Sequence, residues 1–237
     1  MQVKTKAIVL SALKYQEKSL IVKCLTQSDG LKSYFVRDAF SGRKSSQKIA
    51  YFQPLTLLEI EAVHKNKGTL ETFKEIKLST AYHSINTNIH KSTIAIFLSE
   101  VLSHSIHEEE KNEAMFSFLE TALLWLDNHD EVANFHLILL LEITKYLGFY
   151  PEKDNQSLQF FEMTEGVFTE YVGTSCLSEQ QTQLLKRLMD LRFESSAKSF
   201  AIADRQILLQ FLMDYYAYHI TGFRQPKSLE ILREVFA

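Results

Sequence analysis

Leu20-Ile21-Val22-Lys23-Cys24-Leu25-Thr26, turned by Ser28-Asp29-Gly30 into residues 32–37, decides the fold class of the first part of this chain. Leu20, Val22 and Cys24 fall on one face, Ile21, Lys23 and Leu25 on the other. Alternation of this kind marks a half-buried strand, because successive strand side chains point to opposite faces. Leu58, Ile60 and Ala62 alternate with Glu59 and Glu61 in the same way. The pattern predicts five strands, over residues 3–13, 20–26, 32–37, 55–63 and 69–76. Ser28-Asp29-Gly30 reads as a hairpin turn between the second and third, and Asn66-Lys67-Gly68 as one between the fourth and fifth. The polar, basic stretch Phe40-Ser41-Gly42-Arg43-Lys44-Ser45-Ser46 separates the third from the fourth. Five short strands closing a small barrel are the plan of an OB-fold, and an SH3-like barrel fits the strand count nearly as well.

From about residue 81 the period becomes helical. Ile94, Phe97, Leu98, Val101 and Leu102 follow i, i+3, i+4, i+7, i+8 spacing, and Phe116, Leu119, Leu123 and Leu126 repeat it. Residues 135–147 are apolar almost all round, which predicts a central buried helix ending at Gly148 with Pro151 close behind. Ser178-Glu179-Gln180-Gln181 is a capping-box pattern opening a further helix with a buried stripe of Leu184, Leu185, Leu188 and Leu191. A long helix is expected near 205–220 and a short one near 228–236. Residues 158–163 and 167–171 flank Thr164-Glu165-Gly166 as a small β-hairpin. The fold class is therefore α+β: an N-terminal five-stranded barrel over 1–80 and a mainly helical domain over 81–237, with the hairpin inserted near 155–175.

The charge divides where the texture changes. Residues 1–80 hold 14 Lys+Arg against 7 Asp+Glu, a balance of +7, whereas residues 81–237 stand at −10. A basic module of this kind suggests an anionic partner, nucleic acid first. Two cysteines far apart in sequence, Cys24 and Cys176, exclude a disulfide framework and a four-cysteine zinc site. Lys4 and Lys6 interrupt the first apolar run, and no apolar stretch is long enough to span a bilayer, so a cytoplasmic, soluble protein is expected, without membrane contact.

The first 50 residues carry ten Lys or Arg against three acids, interleaved with Tyr15, Tyr34, Phe35 and Phe40. Cations neutralise phosphates and release counterions, and aromatic faces stack on unpaired bases whatever their identity. The candidate DNA-binding residues are Lys4, Lys6, Lys14, Lys18, Lys23, Tyr34, Arg37, Phe40, Arg43, Lys44 and Lys48. A single lysine is more often plain solvation, and it is the cluster that points to binding. Tyr34 and Phe35 are strand neighbours, so only one of them can face a ligand. His104 and His107 with Glu108-Glu109-Glu110 stand where a helix runs out and read as a solvated end, not a metal site. His136 on its apolar helix reads as a core residue. Asp127, Asp130 and Glu131 are placed to favour the N-terminus of the helix that follows. Tyr215, Tyr216, Tyr218, His219 and Phe223 read as core packing, the alternative being a pocket for a partner peptide. The chain lacks a G-x-S-x-G, a Walker A and a Gly-rich dinucleotide loop. Besides DNA binding, two readings stay open: an adaptor whose barrel binds protein, and, more distantly, a nuclease built from scattered carboxylates.

An ordered set of segments resembles the bacterial RecO family of DNA repair proteins. Its carriers are residues 3–10, 15–22 and 26–30, Arg43-Lys44-Ser45, Phe52-Gln53-Pro54-Leu55 and Gly68-Thr69-Leu70. Tyr146-Leu147-Gly148-Phe149-Tyr150-Pro151 and then Tyr215-Tyr216, His219, Gly222 and Ser228 complete it. The resemblance implies an N-terminal OB-fold, a helical C-terminal domain, and neither catalytic triad nor cofactor. It also implies binding of single- and double-stranded DNA, strand annealing, and help, with RecR, for RecA to replace single-strand-binding protein (SSB). Contact with the acidic, apolar-ended tail of SSB and a nucleoid location belong to the same expectation. Two departures stand out. Asn155-Gln156-Ser157-Leu158 occupies the stretch where many members carry C-x-x-C pairs, so a hairpin held by packing, without zinc, is expected. Arg37-Asp38-Ala39-Phe40 replaces the family's usual glycine and following basic residues.

Overall fold

The structure is a computed structural model, and it describes residues 1–40, 49–65, 68–107, 110–195 and 199–237. The chain forms two compact units, Met1–Asn128 and His129–Ala237.

The first unit is built on an antiparallel sheet of β1 (Gln2–Tyr15), β2 (Ser19–Thr26), β3 (Gly30–Val36), β4 (Leu57–Val63) and β5 (Thr72–Leu78). The strand order is β3-β2-β1-β4-β5. β1 serves two partners: its first half pairs with β4 (Val3↔Ala62, Thr5↔Ile60), its second half with β2 (Val9↔Cys24, Ala12↔Val22). A bulge between Val9 and Ser11 bends the strand where the partner changes. Gly30, at φ +62°, supplies the left-handed residue that turns β2 into β3. The inner face carries Ala7, Val9, Val22, Cys24, Tyr34, Leu58, Ile60 and Ala62, all buried.

The edges β3 and β5 are not laddered together. They meet at one parallel bridge, Tyr34↔Glu71, immediately ahead of β5. Phe35 N–H donates to the Glu71 carbonyl at 2.9 Å and Glu71 N–H to that of Ser33 at 2.8 Å. The sheet is thus curled in the OB manner but not fully closed, which corrects the expectation of a closed barrel.

Two helices group with this sheet, α1 (Ile89–Ser105) and α2 (Glu113–Asn128). α1 packs on β1, which explains why Ile8 and Leu10, facing away from the inner core, are as buried as Ala7 and Val9. A polar clip joins the segment before α1 to the end of α2. Asp127 Oδ2 accepts from His83 N–H at 2.8 Å, and Oδ1 from the N–H groups of Ser84 at 2.8 Å and Ile85 at 3.0 Å. The buried Lys91 ammonium donates to Ser84 Oγ at 2.7 Å and to the Asp127 carbonyl at 2.9 Å. Asp127 therefore reaches back to residues 83–85 and does not serve the following helix, contrary to the sequence reading. Burial pushes its carboxyl up, but the three backbone donors and the Ser84 hydroxyl outweigh that and leave it below the ordinary carboxylate range.

In the second unit α3 (Phe135–Leu147) is buried on nearly every side and ends at Gly148, φ +86°, whose N–H returns to the Thr144 carbonyl. α4 (Glu179–Asp190) opens with the reciprocal Ser178/Gln181 capping box. α5 (Ile202–His219) and the short α6 (Leu229–Val235) complete the helices. The hairpin β6 (Phe160–Glu162) and β7 (Val167–Thr169) is joined by a third strand, β8 (Cys176–Leu177), which pairs with the free side of β6. Its anchor is Phe161, fully buried against Phe168, Phe211 and Tyr215 at centroid distances of 5.1, 6.1 and 5.8 Å. Tyr215 and Tyr216 are fully buried and spend their hydroxyls on the carbonyls of Phe149 and Leu140, so they are core and not a peptide pocket. His136 is buried, and desolvation lowers its pKa to about 3, so the imidazole is neutral core. Among the described residues no group of three or more His, Cys, Asp or Glu is placed to hold a metal, and no helix is long and apolar enough to cross a membrane.

Candidate nucleic-acid interface

Because the β3 and β5 edges are not laddered together and, among the described residues, their backbones are joined through the Tyr34–Glu71 bridge, the sheet leaves a cleft beyond that point. It has a volume of about 500 Å³ and is lined by the end of β3, the start of β5 and the Tyr51-Phe52 segment that precedes β4. Phe35, Tyr51, Phe52 and Phe73 supply aromatic lining; Arg37 stands just past the end of β3 and Lys74 on β5. Among the described residues, no carboxylate lines it.

The aromatic wall is fixed from behind. Phe73 stacks on Tyr34 with centroids 4.0 Å apart and rings within 15°, and it also stacks on Phe52 at 5.8 Å. Tyr34 is held in turn by a buried polar chain. Its Oη lies 2.8 Å from His64 Nε2, and His64 Nδ1 lies 3.2 Å from Asp29 Oδ2. Burial, reinforced by the neighbouring Asp29 and Glu71 carboxylates, pushes the phenol far above its usual range, so it stays neutral. The loop ahead of β5 is pinned by Glu71, both of whose carboxylate oxygens lie 2.9 Å from Lys65 N–H. Thr72 and Phe73 register against Val63 and Ala62, and a bulge between Glu61 and Ala62 throws Lys74 outward.

The residues singled out from sequence do not converge. Lys6 Nζ pairs with Glu120 Oε1 at 2.8 Å and faces α2. Lys23 Nζ donates to the Ser103 carbonyl at 2.7 Å in the last turn of α1, and burial lowers its pKa. Both cations serve the packing of helices on the sheet, a favourable use at a helix C-terminus for Lys23. Tyr34 is fully buried and cannot stack on a ligand; its neighbour Phe35 is the one that reaches the cleft. Lys4 is exposed but stands opposite Glu61, which itself registers with Glu75, so its surroundings are of mixed sign. Lys14 and Lys18 are exposed around the β1–β2 turn, and Lys14 Nζ lies 5.6 Å from the ring centroid of the half-exposed Phe40. Arg37 is exposed at the cleft and makes no ion pair or hydrogen bond among the described residues. Arg43, Lys44 and Lys48 lie outside the described residues. His107 stands beyond the end of α1 at Ser105, so His104 and His107 share no helix face.

Sequence reasoning missed Tyr51, Phe73 and Lys74. One signal was available for Tyr34. The hairpin register pairs Thr26 with Gly30 and hence Val22 with Tyr34. Directly paired residues share a face, and Val22 belongs to the inner set with Leu20 and Cys24.

Comparison with known proteins agrees with this architecture. Residues 1–82 match the family model described as Recombination protein O N terminal, and residues 86–230 the one described as Recombination protein O C terminal. DNA repair protein RecO of Flavobacterium psychrophilum is 68% identical over 238 residues, covering 100% of both chains. That of Flavobacterium johnsoniae is 66% identical over 237 residues, again covering 100% of both. The RecO of Bacteroides fragilis is 35% identical over 240 residues and 98% of each chain. Matched over its full length and in both of its parts, the chain belongs to the RecO family of DNA repair proteins.

Proposed function

We propose that this protein is a non-catalytic DNA-binding mediator of recombinational repair. It binds single and double strands, anneals complementary strands and, together with RecR, helps RecA replace SSB, whose acidic tail it contacts. The carrying observation is the cleft between β3 and β5, aromatic inside, with Arg37 and Lys74 in its lining and no acid there among the described residues. Phosphate contacts hold a strand without covering its pairing edges, and annealing requires that property. The sites of DNA contact are Arg37 and Lys74 at the cleft, with Lys14, Lys18 and Phe40 around the β1–β2 turn. Arg43, Lys44 and Lys48 of the following basic segment belong to the same proposal. The protein works on the nucleoid in the cytoplasm and needs no cofactor.

An electrophoretic shift with a labelled oligonucleotide, run with and without Mg²⁺, separates this reading from its competitors. Retardation of intact DNA in both lanes is expected. Cleavage in the Mg²⁺ lane would identify a nuclease instead. Absence of any shift would leave a protein-binding adaptor.

A further inference from the structure

We infer that the β3–β5 cleft receives one unpaired nucleobase of a bound single strand, with Arg37 and Lys74 holding the phosphates on either side. This rests on the DNA-binding reading above and adds to it a site, an occupant and a basis for preferring single strands.

The size is suitable: about 500 Å³ lies inside the range of small-ligand clefts. The lining is suitable as well. Tyr51 is half-buried, packs on the barrel core with part of its ring, and makes no hydrogen bond or ring pair among the described residues. Phe73, by contrast, is already clamped on Tyr34, so its part of the lining is rigid before anything enters. A cleft lined by one rigid aromatic side chain and one uncommitted ring is a stacking site whose ordering cost is low.

The charges fit the same occupant. Among the described residues, Arg37 is an exposed guanidinium with no partner, and Lys74 gives its ammonium only to the neutral Gln2 Oε1, at 2.5 Å. Lys6 and Lys23, by contrast, are committed elsewhere, to Glu120 and to a helix carbonyl. An apolar peptide would satisfy the rings but leave both cations without counter-charge. A nucleotide satisfies both, because the base is apolar on its faces and the flanking phosphates are anionic. A paired base cannot enter, since its faces are stacked and its edge is hydrogen-bonded within the duplex. Only one base is withheld at a time, which leaves the rest of the strand open to pairing.

The test is fluorescence anisotropy of the full chain with a short labelled oligothymidylate and with the same backbone carrying abasic sites throughout. The wild-type protein should bind the abasic strand about tenfold more weakly, the equivalent of one stacked base. Tyr51→Leu, which keeps the apolar contact with the core, should lose most of that preference and bind both strands nearly alike. Tyr51→Phe should retain it. Equal binding of both strands by the wild type would overturn the base pocket while leaving the DNA-binding reading intact. A preference undiminished in Tyr51→Leu would overturn it too, by placing the stacking elsewhere. Failure to bind either strand would remove both.

Discussion

Single-strand affinity of this protein should fall about a hundredfold between about 50 and 200 mM salt. The estimate comes from the cations that the fold leaves uncommitted. Of those described, Lys6 and Lys23 are engaged with α2 and α1, whereas Lys14, Lys18, Arg37 and Lys74 are exposed. With a share from the basic segment that follows β3, about five phosphates are neutralised. Each contributes about −0.7 to the log–log slope on single strands, giving about −3.5. Two variants make this specific. Arg37→Ala should reduce the slope by about 0.7, the share of one phosphate. Lys23→Met should leave it unchanged, because that ammonium is already bound to the Ser103 carbonyl. Anisotropy titrations across a salt series read all three values, and a flat salt response would remove phosphate contacts as the basis of binding.

The second large effect is on stability. Asp127→Ala should destabilise the protein by about 4 kcal/mol, measured by urea unfolding of the full chain. The substitution deletes the acceptor shared by the backbone N–H groups of His83, Ser84 and Ile85 at a buried site. Orphaned buried donors each cost about 1–3 kcal/mol, less than additively within one network. Asp127→Asn keeps one acceptor oxygen and should cost about half as much. The clip also carries a pH signature. Its folded pKa lies below the unfolded value of about 3.9, so its stabilisation is complete above about pH 4. It fades as the pH falls through the lower folded value. In Asp127→Ala that part of the acid-side loss should disappear. Unfolding curves for the alanine variant that match those of the wild type would show that residues 83–85 are held by something else.

The sequence revealed the elements better than their mutual placement. β2 and β3 were legible because alternation and a turn at Gly30 are local signals, and α3 because an all-round apolar run ends at Gly148. The Ser178 cap was legible for the same reason. β8 was not, being two residues long with too short a run to show a period. Nor could the pattern on β2 announce that the end of α1 would arrive over Lys23 and claim its charge. That contact joins residues 80 apart in sequence. The candidate site suffered most from this limit. Basic density singled out the N-terminal part of the chain, but a cleft formed by Phe35, Tyr51 and Phe73 depends on where two sheet edges fail to pair. That is a property of the curl of the sheet, set by the β1 bulge and the single bridge at Glu71, and no short window contains it. The covering of the sheet by α1 and α2 was hidden likewise, since an amphipathic stripe does not name the surface it will meet.

The most direct measurement of where DNA lies is hydrogen–deuterium exchange of the full chain with and without oligothymidylate. Added protection is expected at the end of β3, around Tyr51 and at the start of β5, the three segments that line the cleft. Protection confined to His129–Ala237, with those three segments unchanged, would contradict the account.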